Sequence, residues 1–405
     1  MNPMLRTLLA ALLLVPCATL AQPRSDRDEF EEFKRGEQQR VDEDRREYQA
    51  YKAEVTAQFK RYLEEQQREF RKYVSGIEGK WGKERVRTST RKDYVGYDND
   101  FTRRRTVDFE KGRVTVEVLV DPREGADAAQ LKKRIEDEIV KTLRDRGTED
   151  PMAAKERAKP FAKPILAGQV QGKDGGAVTD ASARQFAEDV AMGSSIKSEQ
   201  VVGKDGVKRV SISAGFSLIP DHVKRRAEEF REPVIAQSKR FNLDPRLVFA
   251  LMQTESYFNP KARSPAPAYG LMQLVPSSGA RSAYLHVHRQ DKLVTADYLY
   301  APPNNVELGA GLLNLMLTKD FRNIADEKSR VYCAIAGYNT GPGNVAKAFV
   351  GKRDIPKAVE RINRMSSDEV FAQLRRSLPF AETRNYVKNV VELMPTYNEW
   401  GGAVH

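Results

Sequence analysis

Residues 242–256, NLDPRLVFALMQTES, have the pattern of an apolar helix with a defined start. Asp244 suits the N-cap and Pro245 the first helical position, where a missing N–H costs nothing. We expect this helix to run to about Phe258. From Asp221 onward the same character persists, with helical spacing, Pro and Gly as punctuation and no alternating strand pattern. The sequence therefore predicts an all-α C-terminal domain.

A carboxylate lies on the apolar face of this predicted helix. Leu247, Leu251 and Glu255 recur every four residues, so Glu255 occupies a position where a core-facing leucine would fit. Burial and the helix dipole both disfavour its ionised form, and we expect a raised pKa. Such a group is suited to general acid catalysis near neutral pH. Taken alone, a Glu at a helix end is more often solvated or ion-paired.

Further motifs follow Glu255-Ser256 along the chain. They are Gly270-Leu271-Met272-Gln273, Gly337-Tyr338-Asn339, and Glu382-Thr383-Arg384 with Tyr386. With these four segments in order, residues 222–395 resemble the soluble-lytic-transglycosylase catalytic domain, a goose-lysozyme-like all-helical fold that cleaves bacterial cell-wall glycan. Gly337 stands where that family has Ala, which is a small-for-small change.

The resemblance implies a mechanism with a single catalytic carboxylate. Glu255 would protonate the glycosidic oxygen between MurNAc and GlcNAc and then take the proton of the MurNAc 6-hydroxyl, closing a 1,6-anhydro ring. Neither metal nor cofactor is expected. Eight further residues are expected to bind or orient the glycan, Glu382 by orienting it and Gln273 and Asn339 through their amides: Ser256, Gly270, Met272, Gln273, Tyr338, Asn339, Glu382 and Tyr386.

Two other chemistries find little support in the sequence. None of the four His residues (His222, His286, His288 and His405) lies in a nucleophile context, which argues against a Ser hydrolase. His286 and His288 are too close in sequence to act as paired helical zinc ligands. The alternatives that remain are a goose-lysozyme-type muramidase, which would hydrolyse the same bond, and a cell-wall binding scaffold without catalysis.

The composition limits the class of protein. The chain has 405 residues, 40% of them hydrophobic, and 68 Lys and Arg against 57 Asp and Glu give a net charge of +11. This length suggests several domains rather than one small module. The positive charge suits an anionic partner, and peptidoglycan carries peptide carboxylates.

The N-terminus has the pattern of a secretion signal. A short apolar run, Leu8 to Val15, follows Arg6 and precedes Thr19-Leu20-Ala21, so we expect a signal peptide over residues 1–21. This predicts a periplasmic protein and argues against nucleic acid as its partner. Alternatively, Cys17 in a partial lipobox would be lipidated, which would attach the protein to the outer membrane. Removal of residues 1–21 would leave Cys333 as the only cysteine.

Residues 24–74 read as one long charged helix with an apolar stripe that repeats every eleven residues, as in Tyr51, Tyr62 and Tyr73. Within a helical arm over 22–78, this stripe predicts self-association as a coiled coil or docking to a cell-envelope partner. The alternative is a solvated helix, because Tyr-rich seams make poor coiled-coil cores. After Ser75-Gly76 we expect a change to strand pattern.

Residues 79–220 predict a small α+β domain. Two hairpins are expected, one turning at 110–112 and one at 204–206, with an amphipathic helix over 131–143 between them. The Gly-rich stretch 172–176 reads as a turn rather than a phosphate cradle. This region resembles the N-terminal domain of membrane-bound lytic murein transglycosylase C. The whole chain is thus predicted to be multidomain, with the catalytic domain over 221–400.

Overall fold

The computed structural model of the protein describes residues 26–148, 161, 163–193, 196–264 and 267–401. The predicted signal peptide and Cys17 lie outside these residues. The chain divides between Lys60 and Arg61 into two compact units. The domain limits expected from the sequence, at 78/79 and 220/221, stay predictions. Within the described residues, no helix is both long enough and apolar enough to cross a bilayer.

The first described element is helix α1, Asp26–Trp81. In the part of α1 that belongs to the first unit, several large apolar side chains are exposed, namely Phe30, Phe33, Val41 and Tyr51. Exposed aromatic side chains on a charged helix are consistent with either interpretation of the arm. Its self-association stays a prediction.

The C-terminal end of α1 continues past the point where we expected strands to begin. The helix runs through Gly76 to Trp81, so the predicted change after Gly76 is wrong. The reason is that Tyr73, Ile77 and Trp81 extend the apolar face at a spacing of four and are buried. Trp81 Nε1 also donates a hydrogen bond of 2.7 Å to the carbonyl of Phe101. A side chain at position 76 would collide with the Phe101 ring, which explains why Gly is tolerated in this helix.

The second unit contains one antiparallel sheet of five strands in the order β1-β2-β3-β5-β4. The strands are β1 Asp93–Tyr97, β2 Arg103–Asp108, β3 Arg113–Val120, β4 Lys197–Val202 and β5 Lys208–Ser217. The two predicted hairpins are confirmed as β2–β3 and β4–β5. The turn predicted at 172–176 is also present, closed by a hydrogen bond between Gly172 and Gly176.

Helices cover both faces of the sheet. Helix α2, Ala128–Arg144, and helix α3, Ala183–Gly193, share a core with the valines of β3, and α2 confirms the predicted amphipathic helix. On the opposite face, the end of α1 packs on Tyr97. There Arg104 pairs with Glu117 at 2.6 Å and lies 4.0 Å from the Trp81 ring centroid.

From Asp221 onward the described residues are helical, as predicted, apart from turns and two isolated bridges at Tyr269. The helices are α4 His222–Glu229, α5 Arg231–Phe241, α6 Pro245–Ser256, α7 Arg281–His288, α8 Ala296–Tyr300, α9 Pro302–Leu315, α10 Glu327–Thr340, α11 Pro342–Val350, α12 Ile355–Ile362, α13 Ser367–Ser377 and α14 Ala381–Leu393. Their buried side chains form one continuous core, to which α6 contributes most of its length.

Helix α6 ends earlier than expected. It stops at Ser256 rather than near Phe258, because Tyr257 and Phe258 both adopt the left-handed conformation, with φ of 49° and 57°. Its start is as predicted, with the Asp244 side chain accepting a hydrogen bond from the backbone N–H of Arg246. Glu255 therefore lies in the last turn of the helix, immediately before a sharp change of chain direction.

Candidate active site

Glu255 lies at the wall of a cavity of about 1040 Å³ between the helices of the C-terminal region. Only 5% of the residue is exposed. The apolar residues of α6 that share its face are packed in the core, so the helix holds the carboxyl group at the edge of that core. A carboxyl group in this position has little contact with water but opens onto a space that a ligand could fill.

Two tyrosines contact this part of the site. Tyr386, from α14, donates a hydrogen bond from its hydroxyl to Glu255 Oε1 at 2.7 Å. Tyr338, from α10, donates a hydrogen bond of 2.9 Å to the carbonyl oxygen of Met272. Burial raises the pKa of both tyrosine hydroxyls well above the ordinary value, so both keep their protons. One tyrosine thus orients the carboxyl group and the other holds the loop beside it.

The protonation of Glu255 reflects competing effects. Burial raises its pKa from the ordinary 4.5 to about 7, because the ionised form loses its hydration. The hydrogen bond from Tyr386 and the positive charge of Arg91 act in the opposite direction, while the negative charge of Glu382 adds to the rise. At neutral pH, Glu255 is therefore present in both its protonated and its ionised form.

The loop after α6 carries the second motif and is held by a buried amide. Asn305, fully buried on α9, accepts a hydrogen bond of 2.7 Å from the backbone N–H of Met272. Its Nδ2 donates to the carbonyls of Tyr269 and Leu299, at 2.9 and 2.7 Å. Gly270 has a φ of +77°, and a Cβ there would collide with Asn305 and Leu299. The glycine lets the loop lie directly on this amide.

The two polar atoms of the Gln273 amide differ in their hydrogen bonding. Its Nε2 donates to the carbonyls of Ala262 and Gly270, at 3.1 and 3.0 Å. In the part of the chain that the structure describes, its buried Oε1 has no hydrogen-bond partner. Gln273 lines the cavity, although this oxygen itself has almost no exposed surface.

Asn339 is oriented by a neighbour on another helix. Thr383 Oγ1, on α14, donates a hydrogen bond of 2.7 Å to Asn339 Oδ1. The Asn339 side chain lines the cavity, and with its oxygen bound to Thr383 its Nδ2 is the group suited to donate to a ligand.

The turn that follows Glu255 is held by a buried arginine. Arg226, on α4 and 3% exposed, donates to the carbonyls of Tyr257 and Phe258 at 3.0 and 2.5 Å. Its guanidinium also contacts Gln169 Oε1 at 3.3 Å and lies 3.5 Å from the Phe109 ring centroid. Residues from the sheet region therefore help to fix the end of the helix that carries Glu255.

Two different parts of the chain match models of known protein families. Residues 232–359 match the model of the Transglycosylase SLT domain, and residues 57–229 match that of the membrane-bound lytic murein transglycosylase C, N-terminal domain. The membrane-bound lytic murein transglycosylase C of Sodalis glossinidius is 31% identical over 325 residues, covering 79% of this chain and 87% of that protein. The protein of the same name from Klebsiella pneumoniae is 32% identical over 327 residues, covering 79% and 86%.

The chain belongs to the membrane-bound lytic murein transglycosylase C family. It is therefore a lytic transglycosylase that acts on peptidoglycan, as the sequence predicted. The scaffold alternative, a protein without catalysis, does not fit this membership.

Two solved structures show partial likeness to this transglycosylase. An inactive mutant of the lytic transglycosylase Slt from Pseudomonas aeruginosa is 28% identical, with a TM-score of 0.33, covering 42% of this chain and 24% of that one. The 70 kDa soluble lytic transglycosylase from Escherichia coli is 24% identical, with a TM-score of 0.31, covering 41% and 24%.

The transglycosylase brings some of its predicted site residues together and separates others from the cavity. Glu255, Gln273, Tyr338 and Asn339 line it.

Behind this lining, buried contacts hold three further residues. Ser256 is fully buried, and its hydroxyl donates a hydrogen bond of 2.7 Å to the carbonyl of Leu271. Met272 packs beside Gly309. Tyr386 contacts Glu255 through its hydroxyl. Gly270 lies in the same loop, and Glu382 is exposed and ion-paired to Arg91.

Three contributors to this site were missed in the sequence: Arg91, Asn305 and Arg226. No motif marks them, since each reaches the site through packing between distant parts of the chain. Of the three, only Asn305 has a signal in the sequence. It is a polar residue that follows Pro-Pro-Asn at the start of an apolar helix, and a polar side chain buried there needs hydrogen-bond partners. Among the described residues, no group of three or more His, Cys, Asp or Glu is arranged to hold a metal ion.

Proposed function

We propose that Glu255 is the one carboxyl group that performs the chemistry, first as general acid and then as general base, leaving a 1,6-anhydro-MurNAc end. The observation that carries this proposal is the buried Glu255 carboxyl at the cavity wall, with a pKa raised to about 7 and a hydrogen bond from Tyr386. A group with a pKa near the working pH can both give and take a proton in one catalytic cycle.

In the first step, protonated Glu255 donates its proton to the glycosidic oxygen between MurNAc and GlcNAc. The bond from that oxygen to C1 of MurNAc breaks, and positive charge develops on the sugar as an oxocarbenium-like species. The proton reaches the leaving GlcNAc as its hydroxyl hydrogen. Glu255 is left ionised beside the cation.

In the second step, ionised Glu255 takes the proton of the MurNAc 6-hydroxyl as that oxygen attacks C1. One C–O bond is broken and one is formed, so no water is consumed. A hydrolase that inverts configuration would need a second carboxylate to activate water. Glu382, the nearest candidate by its effect on Glu255, is exposed and ion-paired to Arg91. Asp320 also lines the cavity but is not among the groups that shift the pKa of Glu255.

For the sugar, we assign binding roles to the residues that line the cavity. Gln273 and Asn339 are assigned to the N-acetyl groups through their amides, with Asn339 Nδ2 suited to donate to an N-acetyl carbonyl. The Tyr338 ring offers an apolar surface for a sugar face. We assign Ser256, Gly270, Met272 and Tyr386 to holding the loop and the acid in place, since each is committed to contacts within the protein.

We propose that the enzyme works in the cell envelope, in the periplasm. The relatives are named membrane-bound, and the apolar run before Gln22 has the pattern of a signal peptide. Cys17 would determine whether the chain is anchored by a lipid. The arm over 24–74 would then provide self-association or contact with an envelope partner, and sedimentation of the chain from Gln22 onward would reveal oligomers.

The proposal is tested by incubating purified peptidoglycan with the wild type, with Glu255→Gln and with Glu360→Gln. Glu360 is an exposed residue of α12 outside the cavity and serves as the matched control. We expect the wild type and Glu360→Gln to release soluble muropeptides that are one water lighter than reducing-end products, and Glu255→Gln to release none. Release by Glu255→Gln at the wild-type rate would contradict the role of Glu255.

The goose-lysozyme-type muramidase remains the second candidate, because the same acid can begin a hydrolysis. It differs in the final step alone, where water replaces the 6-hydroxyl as the nucleophile. Products with reducing MurNAc ends would support it.

A further inference from the structure

A short segment before β1 is fixed against the loop that follows the catalytic helix. Thr90 accepts at its carbonyl a hydrogen bond of 3.5 Å from the backbone N–H of Arg263. The carbonyl of Asp93 accepts one of 3.4 Å from Asn259 Nδ2. Within the segment, Thr90 Oγ1 donates to Asp93 Oδ2 at 2.8 Å. The backbone on both sides of Arg91 is thus held to the C-terminal region.

From this segment the Arg91 side chain reaches the active site. Its Nη2 lies 2.7 Å from Glu382 Oε1, and Arg91 lines the same cavity as Glu255. The side chains of Arg91 and Glu382 are 38% and 66% exposed, and ion pairs as exposed as this contribute little to stability. The position of the pair beside the acid is therefore its distinctive property.

We propose that Arg91 is a positioning residue of the active site, which from the cavity lining holds the Glu382 carboxylate in an ion pair and offsets its charge near Glu255. This inference rests on the proposed role of Glu255 as the acid. It assigns to the region before β1 a direct part in setting the charge around the reaction, in addition to its packing contacts.

Four charged or titratable groups act on Glu255 from the elements around it: Tyr386 and Glu382 from α14, Tyr338 from α10, and Arg91 from the segment before β1. Further along the cavity lie His286, Arg289, Lys319 and Asp320. Arg91 favours the ionised form of Glu255, whereas Glu382 disfavours it. Removing the charge of Arg91 should therefore raise the pKa of Glu255, and removing the charge of Glu382 should lower it. When both charges are removed, the two shifts should largely cancel.

The test compares the pH dependence of kcat/KM for muropeptide release by the wild type, Arg91→Gln, Glu382→Gln and the double variant. Relative to wild type, we expect the ratio of the rate at pH 8 to that at pH 6 to rise in Arg91→Gln and to fall in Glu382→Gln. The double variant should lie near wild type. Arg91→Lys keeps the positive charge and should restore most of the wild-type profile. Arg113→Gln, an exposed arginine of β3, is the matched control and should leave the profile unchanged.

A purely structural effect would act in the same direction in both single variants, whereas the loss of opposite charges moves the pH limb in opposite directions. Identical profiles for all the variants, or shifts of the two single variants in the same direction, would overturn the inference. The Glu255→Gln variant separates the two proposals. If it is inactive while the profiles stay identical, the role of Arg91 alone fails. If Glu255→Gln is active, the proposed role of Glu255 as the acid is wrong, and the inference about Arg91 falls with it.

Discussion

The hydroxyl of Tyr386 donates a hydrogen bond of 2.7 Å to Oε1 of Glu255, joining α14 to the last turn of α6 inside the protein. This bond favours the ionised carboxylate, whereas burial favours the protonated acid. The balance leaves the pKa of Glu255 at about 7. An acid that must later serve as a base needs such a balance, because too strong a preference for either form would slow one of its two steps.

Removing the Tyr386 hydroxyl should disturb this balance in a known direction. In Tyr386→Phe the ionised carboxylate loses a donor, so the pKa of Glu255 rises and the upper limb of the pH–rate profile moves to higher pH. We also expect kcat to fall about 10- to 100-fold, because the base form is less well oriented. Tyr298→Phe, a tyrosine of α8 outside the cavity, is the control. An unmoved limb in Tyr386→Phe would show that the bond does not set the protonation of Glu255.

The buried acid should reduce stability as the pH rises. Its folded pKa of about 7 lies above its ordinary 4.5, so its contribution is fully present below about pH 4.5 and is lost as the pH rises through 7. The loss between pH 5 and pH 8 is about 2–3 kcal/mol. Because Gln cannot ionise, Glu255→Gln should be more stable than wild type at pH 8, with the difference much smaller at pH 5. Urea unfolding at both pH values measures this, and a difference independent of pH would argue against a raised pKa.

Gly270 should be more sensitive to substitution than a glycine with the same backbone conformation in open space. Gly270→Ala places a Cβ against Asn305 and Leu299 at a φ of +77°, and we expect a loss of about 2–4 kcal/mol in the free energy of unfolding. Gly351 has a φ of +74° with no neighbour within 4 Å, so Gly351→Ala should lose about 1 kcal/mol. Equal losses in the two variants would mean that the loop does not rest on Asn305.

Arg226 should be required for the turn after Glu255. In Arg226→Met the carbonyls of Tyr257 and Phe258 lose their buried donor, and we expect a loss of about 3 kcal/mol together with reduced activity. Arg225→Met on the same helix removes an exposed arginine and should change the stability by less than about 0.5 kcal/mol. If the two variants unfold at the same urea concentration, the buried arginine does not hold the turn.

The parts of the fold that the sequence predicted are those that leave a local pattern. Alternating apolar residues predicted both hairpins, apolar spacing predicted α2, and Asp244-Pro245 predicted the start of α6. Glu255 interrupts an apolar face with a carboxylate, and the motifs that accompany it made it the candidate acid. The continuation of α1 to Trp81 was missed, because Ser75-Gly76 looks like a break until the Phe101 ring is seen against it.

The parts that could not be predicted depend on contacts between distant segments. Arg91 belongs to a polar stretch without periodicity, and its meeting with Glu382 bridges 291 positions of the chain. The end of α6 is set by Arg226, which makes two consecutive left-handed residues other than glycine acceptable. Neither arrangement leaves a trace in the spacing of the residues concerned.

In the proposed mechanism, the 6-hydroxyl of MurNAc, and not water, closes the reaction that Glu255 begins. The most direct measurement is mass spectrometry of the muropeptides that the wild-type enzyme releases from purified peptidoglycan in water enriched in ¹⁸O. This mechanism predicts 1,6-anhydro products that carry no ¹⁸O. Reducing-end products carrying one ¹⁸O would contradict it and identify the enzyme as a hydrolase.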